Sequence, residues 1–196
     1  GAYQQAERCF RHMLDLHRKH YGPQHVKVGE AYNGLGIVSW KQGKLDEALQ
    51  HYQKALTIMV DSFGVSHPRT SDLYNNIGIL YKEQGQYESA LRAYQKALAI
   101  REDAFGDQHL SVAISHQNLG VVYGEMYNFR AARAAYEEAL RIRLSLLGPR
   151  HPFVAAIYGN LGAIYDTEGL SERALAYYQQ ELRILQSHYG EVHPNV

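Results

Sequence analysis

Residues 74–100 read YNNIGILYKEQGQYESALRAYQKALAI, and variants of this phrase stand at residues 32–58, 116–142 and 158–184. The copies start at Tyr32, Tyr74, His116 and Tyr158, a constant step of 42 residues. Each runs on through a glycine (Gly64, Gly106, Gly148, Gly190) and reaches a histidine three residues later (His67, His109, His151, His193). A fixed period of this length is the mark of a stacked repeat array. In such an array each unit touches only its neighbours, and the product is an extended surface rather than a closed pocket. The period therefore points to binding before any single side chain is weighed.

Within the phrase, two helical stripes follow one another. Tyr74, Ile77, Gly78 and Tyr81 keep a three-and-four spacing that places them on one helical face. Gly85 interrupts, and a second stripe runs through Tyr87, Ala90, Leu91, Tyr94, Ala97 and Leu98. Gly106 suits the left-handed position after a helix end. His67-Pro68 and His151-Pro152 place a proline at the first helical position, where its missing N–H costs nothing. Gly36, Gly78, Gly120 and Gly162 recur inside the first helix. A mid-helix glycine costs about 1 kcal/mol relative to alanine, so its return in every copy implies that a large side chain of the partner helix needs the space.

This pattern, read as Ile77-Gly78, Tyr81, Gly85, Tyr87, Ala90, Tyr94 and Ala97-Leu98, resembles the tetratricopeptide repeat (TPR). The 42-residue unit, with its stretch from Ala139 to Ala155, is similar to the kinesin light chain and nephrocystin-like subclass. The resemblance spans essentially the whole chain. It implies an all-α fold, an α-solenoid in which antiparallel helix pairs wind into a right-handed superhelix. The expected organisation is a single array over 1–196. Residues 1–28 form the second helix of a truncated repeat, and the four repeats cover 29–70, 71–112, 113–154 and 155–196. Neither end carries a polar capping helix, which leads us to expect a piece of a longer protein and ends able to associate with one another.

Bulk properties narrow the function. Twenty basic and twenty acidic residues cancel, so no global field draws the chain to nucleic acid. There is no apolar run of membrane-spanning length, and the single cysteine, Cys9, cannot form an internal disulfide. We accordingly expect a cytoplasmic protein, on the resemblance one associated with the cytoskeleton, with neither nucleic acid nor membrane as partner. Fourteen of the sixteen tyrosines fall at shared repeat positions, leaving only Tyr127 and Tyr177 outside the frame. They read as packing residues rather than as a base-stacking platform. The histidines come one per repeat, roughly 10 Å apart at helix-packing distances, and cannot converge on one ion. They read as helix-start hydrogen-bonding groups. No metal, no cofactor and no catalytic set is expected. Arg130, Arg133, Arg141 and Arg143 read as a solvated face of one helix.

The resemblance also locates a binding surface. In TPR proteins the first helices line a concave groove, and the matching positions here are Glu30, Asn33, Ile37, Trp40 and Lys41 in one repeat and Asp72, Asn75, Ile79, Lys82 and Glu83 in the next. The third repeat supplies Ile114, Gln117, Val121, Gly124 and Glu125; the fourth supplies Ala156, Gly159, Ala163, Asp166 and Thr167. Beside them stand Asn76, Asn118 and Asn160, replaced by Gly34 in the first repeat. Asparagine offers both a donor and an acceptor, so a ladder of them can hold an extended peptide by its backbone. The family's matching asparagines contact peptide, and that role is carried to these three. Specificity is expected from Ile37, Trp40, Lys41, Ile79, Lys82 and Val121, and small residues (Gly124, Gly159, Ala163) leave room for a bulky side chain.

The basic pair that clamps C-terminal carboxylates elsewhere in the family is missing, with Asn33, Asp72, Asn76 and Ile114 in its places. The acidic, tryptophan-centred cargo of kinesin light chains uses a basic groove, whereas Lys41 and Lys82 here stand among acidic neighbours. The expected function is a non-enzymatic adaptor or scaffold, of kinesin light chain type, that binds a partner peptide in the groove. The alternative is a regulatory arm of a larger multidomain signalling protein.

Overall fold

The computed structural model describes residues 1–190. The last histidine of the series, His193, lies outside the described residues, as does the Pro194 that follows it. Nine helices stand among the described residues, and no strand: α1 (Ala2–Tyr21), α2 (Val26–Lys41), α3 (Leu45–Phe63), α4 (Pro68–Glu83), α5 (Tyr87–Phe105), α6 (Leu110–Glu125), α7 (Phe129–Leu147), α8 (Pro152–Thr167) and α9 (Ser171–Tyr189). The first helix of each repeat (α2, α4, α6, α8) has 16 residues and the second (α3, α5, α7, α9) has 19. The helix pairs and the all-α class match the sequence reading.

The histidine series starts the first helices. At each of His25, His67, His109 and His151 the ring Nδ1 accepts from the backbone N–H two residues on, at 3.1–3.3 Å. That bond satisfies one of the donors a helix N-terminus leaves unpaired. Phe63 and Phe105 stack on His67 and His109 at 4.4 and 4.5 Å between ring centroids, tying each start to the preceding helix end.

The mid-helix glycines answer one tyrosine each. A Cβ on Gly78 would stand 2.7 Å from the Tyr94 ring, and Gly36, Gly120 and Gly162 would meet Tyr52, Tyr136 and Tyr178 in the same way. The large side chain expected from the sequence is thus the tyrosine of the partner helix. Tyr52, Tyr94 and Tyr136 are almost fully buried, whereas Tyr178 in α9 is 37% exposed. Burial, with the Glu83 carboxylate nearby, pushes Tyr52 up to about 12, so the phenol stays protonated at neutral pH.

The chain forms two compact units, Gly1–Ala104 and the residues from Phe105 onward. The core of the first gathers Leu35, Ala48, Tyr52, Ile58, Leu73 and Ile77 from α2, α3 and α4. The core of the second gathers Ala132, Tyr136, Ala139, Ile157, Leu161 and Ile164 from α7 and α8.

One arginine of the expected solvated face corrects the sequence reading. Arg143, expected on a solvated face, is buried in α7. Its guanidinium donates to the Gln117 side chain at 2.6 Å and to the Phe153 carbonyl at 2.7 Å. Arg101, at the matching place in α5, is also buried and donates to Ser71 at 3.2 Å and to Asp72 at 2.9 Å. Burial holds the Arg143 guanidinium below its ordinary pKa, and hydrogen bonds to both sides offset that penalty. Arg133 is half-buried against Glu168, while Arg130 and Arg141 are exposed as expected.

Candidate peptide-binding surface

In the first unit, α2 and α4 carry the expected groove positions. Ile37 is 40% exposed and Ile79 half-buried, while Val38 and Leu80, one residue on, are fully in the core. Asn76 donates to the Asn33 side chain at 3.4 Å, so two amides of successive repeats stand side by side. Asn75 is half-buried and already engaged within the protein. Trp40 donates its indole N–H to Glu83 at 2.8 Å, and the Lys41 ammonium lies 4.1 Å from the Trp40 ring centroid. These contacts fix Trp40 across two repeats and place Lys41 over its face, a cation–π contact. Lys82 is half-buried beside Glu83. Arg69 pairs with Glu30 at 2.9 Å, and Asp72 is held by Arg101.

In the second unit, α6 and α8 lie side by side, and Ile164 reaches into the space a Cβ on Gly124 would take. Between them opens a cavity of about 340 Å³. It is lined by Val121, Gly124 and Glu125 of α6, by Asn160, Ala163, Ile164 and Thr167 of α8, by Tyr127 of the turn before α7 and by Phe129 and Tyr136 of α7. Val121 and Asn160, both picked out from sequence, therefore share one site. Asn118 is half-buried and engaged within the protein. Gln117 is tied down by Arg143.

Of the three small residues expected to leave room, Gly124 and Ala163 line the cavity and Gly159 does not. A Cβ on Gly159 would stand 2.5–2.7 Å from the Glu181 carboxylate, which fills that space. Burial raises the Glu181 carboxyl above the usual carboxylate range. The earlier copies have Ala55, Ala97 and Ala139 at the place of Glu181, and Asn33, Asn75 and Gln117 at the place of Gly159. The two changes compensate each other, a signal that lining up the copies column by column would have exposed.

Tyr127 stands where Met126-Tyr127-Asn128 replaces the Gln-Gly pair of the second repeat, so the turn after Glu125 lacks its glycine. The turns between paired helices place Gly43, Gly85 and Gly169 at φ 76°, 71° and 78°, and Tyr127 holds the same position at φ 57°. The hydrogen bonds are conserved in kind: Tyr127 N–H donates to Gly124 O at 2.9 Å, as Gly85 N–H does to Lys82 O at 2.9 Å. A non-glycine residue in this left-handed region costs roughly 1–2 kcal/mol.

Among the described residues, no group of three or more His, Cys, Asp or Glu is placed to hold a metal ion, and no helix is long and apolar enough to cross a membrane.

The tetratricopeptide repeat family model matches residues 1–60, 30–103, 69–145 and 128–187, nearly the full length. The chain belongs to the tetratricopeptide repeat family. TPR proteins are generally non-catalytic scaffolds for protein–protein interaction. Among solved structures, BtubC (BKLC) from P. vanneervenii is similar over 100% of this chain and 78% of its own, at 27% identity and TM-score 0.87. A Podosopora anserina protein assigned as a kinesin light chain, with nearly identical TPR-like repeats, is similar over 96% of this chain and 90% of its own, at 18% identity and TM-score 0.81. MamA is similar over 96% and 92% at 19% identity and TM-score 0.68. The likenesses at 18% and 19% speak for the TPR fold alone. No curated protein matches the chain.

Proposed function

We propose that this TPR protein is an adaptor that binds an extended peptide of a protein partner along the face of its first helices, in the manner of a kinesin light chain. The observation that carries this reading is a repeated apolar position left uncovered. Ile37 and Ala163 are exposed and Ile79 and Val121 half-buried, while the next residue in each repeat, Val38, Leu80, Val122 or Ile164, is buried. Folding buries apolar surface wherever it can. A column that stays accessible beside Asn76, Asn118 and Asn160 suits side chains of a peptide whose backbone the amides hold. Trp40 and Lys41 supply a second, aromatic and cationic, point of contact. A cytoplasmic setting fits this role.

The test is selection of short random peptides displayed on phage against the protein. The selected peptides are then measured by fluorescence anisotropy on the parent and on the Asn76→Ala, Asn118→Ala, Asn160→Ala triple variant, checked by circular dichroism. Loss of a hydrogen bond at a desolvated interface costs about 1 kcal/mol each, so the triple variant is expected to weaken binding by about a hundredfold. Equal affinity for both proteins would place binding elsewhere.

The apolar side chains left exposed on α1 (Tyr3, Met13, Leu16) and α9 (Leu175, Leu182) support a further proposal of self-association through these helices. Sedimentation velocity over a concentration series checks it.

A further inference from the structure

We infer that the cavity between α3, α4 and α5 binds an aromatic ring carrying a phosphate, the group that a phosphotyrosine side chain or a free aryl phosphate presents. Its α4 residues, Tyr74, Ile77 and Tyr81, lie on another face of that helix from the groove positions Asn75, Ile79 and Lys82, so the site is independent of the peptide reading.

Ala93 makes the room. The matching residue is His51 in the first repeat and Tyr177 in the fourth. The His51 ring stacks on Tyr32 with centroids 5.9 Å apart, and the Tyr177 ring stacks on Tyr165 at 5.3 Å with 11° between the planes. Tyr32 and Tyr165 are the counterparts of Tyr74 and Tyr81, which both line the cavity. Where those two repeats supply an aromatic ring of their own, the second repeat keeps both tyrosine platforms and puts a methyl in place of the ring. A planar ring from outside, stacked on these phenols and resting on Leu56 and Ile77, fits the space. The volume, about 280 Å³, is at the small end of ligand sites, which start at roughly 300 Å³, so one ring with its phosphate fills it.

The charge of the lining selects the phosphate. Helix α5 brings Ser89, Arg92 and Lys96 to the cavity at successive turns, and no carboxylate lines it. Arg92 donates to the Ser89 hydroxyl at 3.0 Å, and the Lys96 ammonium lies 5.3 Å from the Tyr74 ring centroid. Glu88, one turn before Arg92, is exposed and stands outside the lining. The counterparts of the three are Glu47, Gln50 and Lys54 in the first repeat, Ala131, Ala134 and Glu138 in the third, and Arg173, Ala176 and Gln180 in the fourth. Only the second repeat combines a hydroxyl, a guanidinium and an ammonium, and it does so around the space from which its own ring is missing. Phosphate oxygens accept several charge-assisted hydrogen bonds at once, and the arginine fork matches their geometry.

The experiment titrates phenyl phosphate into the protein, followed by backbone amide shifts in NMR, in parallel with phenol, inorganic phosphate and a short peptide carrying phosphotyrosine between glycines. Phenyl phosphate should bind about tenfold more tightly than phenol or inorganic phosphate, because ring and charge both contribute. The Arg92→Gln, Lys96→Gln double variant should weaken it about tenfold, and since both side chains are exposed the melting temperature should hold. Ala93→Tyr fills the cavity as Tyr177 does in the fourth repeat and should abolish binding; if that variant fails to fold, the double variant still decides. Neither change should alter the affinity of peptides selected on the groove. Tighter binding of the phosphotyrosine peptide than of phenyl phosphate supports the site and assigns the ring to a partner protein; equal or weaker binding supports the site and assigns it to a free aryl phosphate. The inference is overturned if phenyl phosphate does not bind at millimolar concentration, if it binds no better than inorganic phosphate, or if its binding survives the double variant.

Discussion

Gly78→Ala offers the sharpest test of how these repeats pack. In an isolated helix the change is favourable by about 1 kcal/mol. In this protein the new methyl would stand 2.7, 2.8 and 3.0 Å from three atoms of the Tyr94 ring. That ring is 2% exposed and has nowhere to retreat. Overpacking of a closed core costs about 1–3 kcal/mol, and a rigid aromatic contact takes the upper end. The net expectation is a loss of about 2 kcal/mol, or a melting temperature lower by roughly 4–8 °C for a chain of this size. Gly162→Ala has nearly the same local geometry, with atoms of Tyr178 at 2.7 and 2.8 Å, but that ring is 37% exposed and can swing outward. There the helix-propensity gain survives, and the melting temperature should hold or rise by roughly 1–3 °C. Circular dichroism melts of both variants decide the matter. In a Tyr94→Leu background, Gly78→Ala should become stabilising. If Gly78→Ala is as stable as the parent, or if the two alanine variants behave alike, the glycine is not kept for the tyrosine and the packing argument fails.

Three further outcomes are expected. Arg143→Ala should destabilise by about 2–3 kcal/mol, because it strands the Gln117 oxygen and the Phe153 carbonyl and leaves a void. Arg143→Met should lose less, since Met59 fills the matching place in the first repeat; urea unfolding separates the two. Glu181 has a folded-state pKa raised by burial, so its contribution to stability is full at acidic pH and is lost as pH rises through that raised value. The gap in melting temperature between Glu181→Gln and the parent should therefore widen in favour of glutamine from about pH 4 to about pH 7, and a flat difference would refute the burial of that carboxylate. His67→Ala should cost about 1 kcal/mol by removing the acceptor for the Arg69 N–H, and His67→Asn should restore most of it in a thermal melt.

The resemblance stated from sequence led to the family that the comparison found, and the residues that made it legible are those with local jobs. Histidine before proline starts a helix by geometry that spans three residues. Glycine after the second stripe ends it. A glycine every 42 residues within the first stripe demands a large neighbour, and the tyrosines stand ready at the same period. Such requirements repeat with the chain, so they can be read along it. The positions that escaped reading are those whose environment is set by a different helix. Arg143 looks solvated beside Arg141, because a helix with several arginines gives no sign of which one turns inward. Only the placement of Gln117 and the Phe153 carbonyl makes its burial tolerable. Gly159 looks like open space until Glu181 is seen to fill it.

Sequence alone determined the repeat, the glycines and prolines that punctuate its helices, the need of each mid-helix glycine for a large neighbour and the columns of candidate groove residues, because each is carried by the pattern within one 42-residue unit. Tertiary structure decided which of those columns stay accessible, that Val121 and Asn160 share one cavity, and that Tyr127 holds a glycine's backbone conformation at its edge. Those facts depend on how neighbouring repeats approach, and a side chain's exposure is set by what comes to lie against it.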